Sequence, residues 1–208
     1  MKDLKIKKFI TGEIQTNVYL IYNEATKKAF LVDCAGLVDE YVQFIKENQL
    51  DVAFVVLTHG HYDHIDGLNE FLLEFDVPFY ISEKEQHMLI NPMDNGSLMM
   101  GKSVVINKKA EFVEDGQKIK FEDNELKVIE TAGHTRGGIC IKLGNWLFSG
   151  DTLFYHSIGR TDFPYADTEQ LLNSIKTKLF ILDNETQVFP GHGRETSIGE
   201  EKGKNSFV

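Results

Sequence analysis

The chain has 208 residues, 42% of them hydrophobic and 26% charged, with a formal net charge of -10. That is enough chain for one ordinary globular core, and the predicted organisation is a single domain over residues 1–208. The acidic balance argues against nucleic acid as a partner, since phosphate binding rests on Lys and Arg. No run nears the ~18 apolar residues of a membrane span, and polar residues interrupt the basic N-terminus before a signal-peptide core could form. A cytoplasmic protein without membrane or nucleic-acid partners is therefore expected.

In chain order, "LKIKKFI", "NVYLIYN" and "KAFLVDC" read as strands rich in β-branched and aromatic residues. Val38, Tyr41, Val42 and Ile45 recur at helical spacing, which predicts a helix over 38–48. "VAFVVLT" reads as a strand buried on both faces. Leu68, Phe71, Leu72 and Phe75 predict a second helix bounded by Pro78, and Ser82 with Glu85 reads as a capping box opening a third. "NPMDNGSLMMG" is loop chemistry, with its methionines expected to fill gaps in the core. From 103 to 150 the chain reads as short strands, "SVVI", "EFV", "KIKF", "LKVIET", "ICIKL" and "WLFSG", with a turn at Asp115-Gly116. Asp167 with Gln170 caps a helix carrying Leu171, Ile175, Leu179 and Leu182, and "QVFP" is the last expected strand. Cys34 and Cys140 lie in apolar segments and read as buried structural thiols.

Four motifs stand apart: "THGHYDH" (58–64), "TAGHTRGG" (131–138), "FSGDTLF" (148–154) and "FPGHGRET" (189–196). Each follows an apolar strand and sets glycine beside histidine or aspartate, the usual arrangement for presenting functional groups from loops at strand ends. Imidazole and carboxylate without thiolate suit zinc, iron or manganese. If 59–64 is extended, His59 and His61 point one way, and Asp63 and His64 turn toward a second position. His134 would complete the first site and His192 the second, and Asp151, with two oxygens, could bridge. So many buried polar groups have no equally good explanation without an ion. His87 reads as a helix-surface residue and His156 as a possible pocket-lining one.

The pattern H-x-H-x-D-H, G-H-T, G-D-T-L-F, P-G-H-G resembles the metallo-β-lactamase superfamily. "GDTLFYHSIGRTDFP" and "FPGHGRETSIGEEKGKNSF" are most similar to its glyoxalase II-like branch. The resemblance implies an α/β fold, an αββα sandwich. It also implies a pair of divalent ions, zinc before iron or manganese, with His59, His61 and His134 on one, Asp63, His64 and His192 on the other, and Asp151 between them. It further implies a hydrolase that cleaves a small thioester such as a hydroxyacylglutathione through a metal-bridging hydroxide, which Asp63 would help orient. Arg160 in "GRTDF" and Lys202 in "EEKGKN" match positions where that branch binds glutathione.

Arg136 and Ser206 depart from the branch's usual G-H-T-P-G and N-P-F. The branch's helical C-terminal extension has no counterpart after His192, so a more open thiol-binding face is expected. Cysteine stands at the Asp151 position in the commonest lactamases, and the nucleases of the superfamily bring basic surfaces absent here. The alternatives are a persulfide dioxygenase using one iron, a lactone hydrolase, and a non-catalytic thiol-binding or metal-storing module. Oligomeric state is left open.

Overall fold

The computed structural model describes residues 3–208, so Met1 and Lys2, which the expected single domain includes, lie outside the described residues. The chain divides into two compact units, Met1–Ile81 with Gln86–Phe112, and Ser82–Glu85 with Val113–Val208.

In the first unit β1 (Leu4–Thr11), β2 (Thr16–Asn23) and β3 (Lys28–Val32) form an antiparallel meander. The chain then crosses through α1 (Asp39–Glu47) to β4 (Asp51–Val56), which pairs parallel to β3. The short α2 (Tyr62–Ile65) and α3 (Leu68–Glu74) lead to β5 (Phe79–Ser82), parallel to β4. With β6 (Glu111–Val113) these strands make a six-stranded sheet ordered β1 to β6. Val18, Leu20, Leu31, Val55 and Leu57 of the strands and their ends pack with Tyr41, Ile45, Leu68 and Phe71 of the helices. Each fully buried side chain of this kind contributes about 1.5–3 kcal/mol relative to exposure.

Two expectations fail in this unit, each because side chains override a local pattern. The methionines of the 91–101 loop are exposed, Met93 at 60% and Met99 at 72%. The loop closes instead around buried Asn95, whose amide donates to the Met88 and Val104 carbonyls and whose Oδ1 accepts from the Ser97 N–H. "SVVI" joins no ladder: the Val104 N–H donates to Ser97 Oγ, the Ile106 N–H to the Leu89 carbonyl, and the Val105 carbonyl accepts from Asn69. The helix expected after Ser82 does open there, as a 3-10 turn at Glu83–Glu85 that runs into α4 (Gln86–Ile90). Glu85 is buried and accepts from the Gly137 N–H at 2.6 Å.

The second unit is built on β7 (Lys118–Phe121), β8 (Asn124–Glu130), β9 (Ile139–Leu143) and β10 (Trp146–Gly150), consecutive antiparallel neighbours. β13 (Gln187–Pro190) joins β10 in parallel, and β14 (Thr196–Ser197) closes that edge. β11 (Leu153–Phe154) and β12 (Ser157–Ile158) form a separate ribbon. α5 (Thr168–Ser174) starts where Asp167 accepts from the Gln170 N–H, and runs on through a π-helical turn at Ile175–Leu179. Its stripe of Leu171, Ile175 and Leu179 packs with Cys140, Leu147, Val188 and Ile198. β14 and α6 (Ile198–Lys204), capped by Ser197, follow the strand expected to be last. Both cysteines are buried free thiols. Among the described residues no helix is long and apolar enough to cross a membrane.

Candidate metal centre

Within each unit the motif residues leave the carboxyl ends of strands parallel to one another. β3 and β4 are parallel and deliver Asp33 and Thr58–His59; β10 and β13 are parallel and deliver Asp151 and His192. β8 is antiparallel to β9, which is antiparallel to β10, so β8 ends on that same edge and delivers His134. The carboxyl edge of parallel strands is where open α/β sheets place ligands. A register shift between Phe148 and Gly150 bends β10 just before Asp151, as a bulge beside a functional residue does.

The first unit holds His59, His61, Asp63 and His64. The extended path predicted through 59–64 ends at His61: from Tyr62 the chain turns helically, so Asp63 and His64 sit on one turn of α2. Donor atoms of His59 and His61, of His59 and His64, and of Asp63 and His64 lie within 4.8 Å of each other. Thr16 Oγ1 donates to Asp63 Oδ2 at 3.0 Å.

Behind this cluster lies a residue that the motif reading missed. Asp33 is buried and takes a left-handed backbone, φ 61°, which Asp tolerates better than most residues. Its carboxylate accepts from the Thr58 N–H at 2.8 Å, from Thr58 Oγ1 at 3.0 Å and from His64 Nδ1 at 2.9 Å. Thr58 spends its one hydroxyl proton on Asp33, so at 3.1 Å it accepts from His59 Nδ1. One carboxylate thereby fixes the tautomers of two histidines, placing the lone pair of each imidazole on Nε2. Its sequence signal was an aspartate at the end of an apolar strand, in "LVDC".

The second unit holds His134, Asp151 and His192. Gly133, at φ 140°, has no room for a side chain, since a Cβ would meet the Leu171 nitrogen at 2.3 Å. That contact docks the loop on the start of α5. His134 Nδ1 donates to the Arg160 carbonyl at 2.7 Å, so its lone pair too lies on Nε2. Asp151 Oδ2 lies 3.6 Å from His134 Nε2 and 3.5 Å from His192 Nε2.

These spacings test whether the residues fit an ion. A charge-assisted hydrogen bond would close to about 2.7–2.9 Å. Ligands at 2.0–2.1 Å around a tetrahedral ion stand about 3.4 Å apart. The two Asp151 contacts, and His64 Nε2 to Asp63 Oδ2 at 3.5 Å, match the second figure. With three imidazoles oriented through Nδ1, the donor chemistry fits a divalent cation.

The expected substrate-binding residues have partners of their own. Arg160 forks onto Asp162, at 2.9 and 2.7 Å, and its guanidinium lies 4.4 Å from the Phe163 ring centroid. Lys202 donates to the Leu182 carbonyl and to Asn184 Oδ1, tying α6 to the loop before β13. His156 pairs with Glu200 at 2.9 Å, and its N–H donates to buried Glu201. His87 is half-buried on α4 rather than a surface residue. Asp66 accepts from the Gly36 N–H and faces Lys102; burial raises its pKa, with those two groups pulling the other way.

Residues 11–192 match the model of the metallo-beta-lactamase superfamily, and the chain belongs to that family. A probable metallo-hydrolase of Bacillus subtilis, YqgX, is 33% identical over 99% of this chain and 98% of its own. The hydroxyacylglutathione hydrolase GloC of Haemophilus influenzae is 32% identical over 93% of each chain. Among solved structures, the BLEG-1 B3 metallo-beta-lactamase is 35% identical with a TM-score of 0.93, over 98% of this chain and 99% of that one. The metallo-beta-lactamase fold expected from the motifs is the fold of this chain.

Proposed function

We propose that the protein is a metal-dependent hydrolase of small thioesters, of the hydroxyacylglutathione type. His59, His61 and His134 would hold one divalent ion, Asp63, His64 and His192 a second, and Asp151 would bridge. The observation that carries this reading is the spacing around Asp151 Oδ2, 3.6 and 3.5 Å from two imidazole nitrogens. When bound, such ions supply a Lewis acid and a water acidified to near neutral pH. Asp33, directly and through Thr58, and the Arg160 carbonyl orient His64, His59 and His134 through Nδ1. Asp63, steadied by Thr16, would orient a water. The likeness to GloC supports a thioester, and that to BLEG-1 gives a β-lactam a specific claim as second substrate.

Metal analysis of freshly purified protein, with assays on S-lactoylglutathione, a β-lactam and a glutathione persulfide under oxygen, tests the proposal. Two metal equivalents and thiol release from the thioester are expected. A single iron with oxygen uptake, or turnover of the β-lactam alone, would overturn it.

A further inference from the structure

The chain carries 22 basic residues, and only three of them are arginine: Arg136, Arg160 and Arg194. All three fall in or close after the site motifs. Arg136 lies two residues after His134, Arg194 two after His192, and Arg160 in the loop whose carbonyl orients His134. Everywhere else the protein uses lysine. The distinction is chemical, because guanidinium presents a rigid fork of donors matched to carboxylate and phosphate, whereas ammonium is a point charge.

Each guanidinium lies over an aromatic ring of the second unit. Arg194 is 3.4 Å from the Tyr155 centroid, Arg136 is 4.1 Å from Tyr165, and Arg160 is 4.4 Å from Phe163. Stacking occupies the face of the guanidinium and leaves its N–H edge available. Arg160 spends that edge on Asp162. Arg194 and Arg136 are exposed and, among the described residues, form no ion pair, in a chain with 32 acidic residues to offer one. Glu200, a nearby candidate in sequence, is taken by His156 and Lys204. Arg194 is also tied to the metal motif on its aromatic side: Phe154, next to Tyr155, meets the His192 ring at 6.1 Å.

We propose that Arg194 is the subsite that reads an oxyanion on the leaving part of the substrate, a carboxylate or a phosphate remote from the scissile carbonyl. Arg160 is then a positioning residue, which acts through its carbonyl on His134. The assignment rests on the hydrolase reading for the identity of the scissile bond, but not for the anion site itself. An acidic protein repels anions at long range, so recognition must come from local cations held ready in an orienting contact.

Steady-state kinetics decide it, with S-lactoylglutathione (carboxylates), a lactoyl-coenzyme A thioester (phosphates) and a neutral N-acetylcysteamine thioester. Arg194→Ala is expected to raise KM for one anionic thioester about tenfold more than for the neutral one, and the sensitive substrate names the oxyanion. Arg194→Lys should recover part of that loss, and Arg160→Ala should not discriminate among the three. Equal changes on all three substrates, or discrimination by Arg160→Ala alone, would overturn the assignment. Titration of metal-free protein with glutathione and with inorganic phosphate gives an independent reading. Arg194-dependent binding there, without thioester turnover by the wild type, would sink the hydrolase reading and keep the subsite. Thioester turnover with neither anion bound would do the reverse.

Discussion

Gly159→Ala puts the smallest possible load on the centre. The backbone of Gly159 passes so close to Asp151 that a Cβ would lie 1.8 Å from the Asp151 carbonyl oxygen and 3.2 Å from His134 Cγ. Real contacts of this kind stay beyond 3.0 Å, so one backbone must retreat by about 1.2 Å. Neither side can yield freely. Asp151 follows the bent end of β10, and the next residue, Arg160, holds His134 through its carbonyl. Overpacking of this size costs about 1–3 kcal/mol. At about 2–4 °C per kcal/mol for a chain of this length, metal-free protein should lose roughly 2–12 °C in Tm. A displacement near 1 Å at positioned groups costs about a hundredfold in rate. Differential scanning calorimetry of metal-free protein, then chelator competition for zinc and S-lactoylglutathione kinetics, would measure all three. A variant with Tm within about 1 °C of wild type and unchanged zinc affinity would show that the loop is slack, and that its closeness to Asp151 does not organise the centre.

Three further perturbations follow from the same geometry. Asp33→Asn must turn an NH2 toward a donor, either the Thr58 N–H or His64 Nδ1–H, so zinc affinity should fall about 10–100-fold at nearly constant shape; chelator competition showing no change would refute the tautomer argument. Asp151→Asn removes the charge between His134 and His192 and should weaken retention of at least one ion, with a rate loss of about a hundredfold or more; full metal content by mass spectrometry with wild-type turnover would exclude the bridging role. Burial raises the Cys140 thiol to about 11, and the Cys34 thiol is pushed up as well. The native state then holds these protons more tightly than the unfolded chain, so their stabilisation is complete below about pH 9 and is lost as pH rises through about 11. Urea melts of Cys140→Ala should show a shallower decline over that window, by up to about 1.4 kcal/mol per pH unit, and equal slopes would refute the assignment.

The candidate donors stand out in the sequence because a metal demands particular atoms, and the chain advertises such atoms locally as histidine and aspartate beside glycine after apolar strands. The strands β2, β4 and β8 and the helices α1 and α5 were legible for a similar reason, since hydrophobic period and capping are near-neighbour properties. What supports the donors was not. Asp33 lies 25 residues from Thr58 and 31 from His64, and only the parallel pairing of β3 with β4 brings them together. The Arg160 carbonyl reaches His134 across 26 residues, and any residue type would supply that carbonyl, so no side-chain pattern could announce it. Arg160 itself had the right character for an anion ligand, yet its own neighbour Asp162 claimed the fork. The methionines of the 91–101 loop looked like core filler, but buried Asn95 closed the loop with hydrogen bonds and left them in water. Residue chemistry is written in the chain one position at a time. Which of those groups spend their hydrogen bonds on each other, and which remain for a ligand, is decided only when distant strands pair.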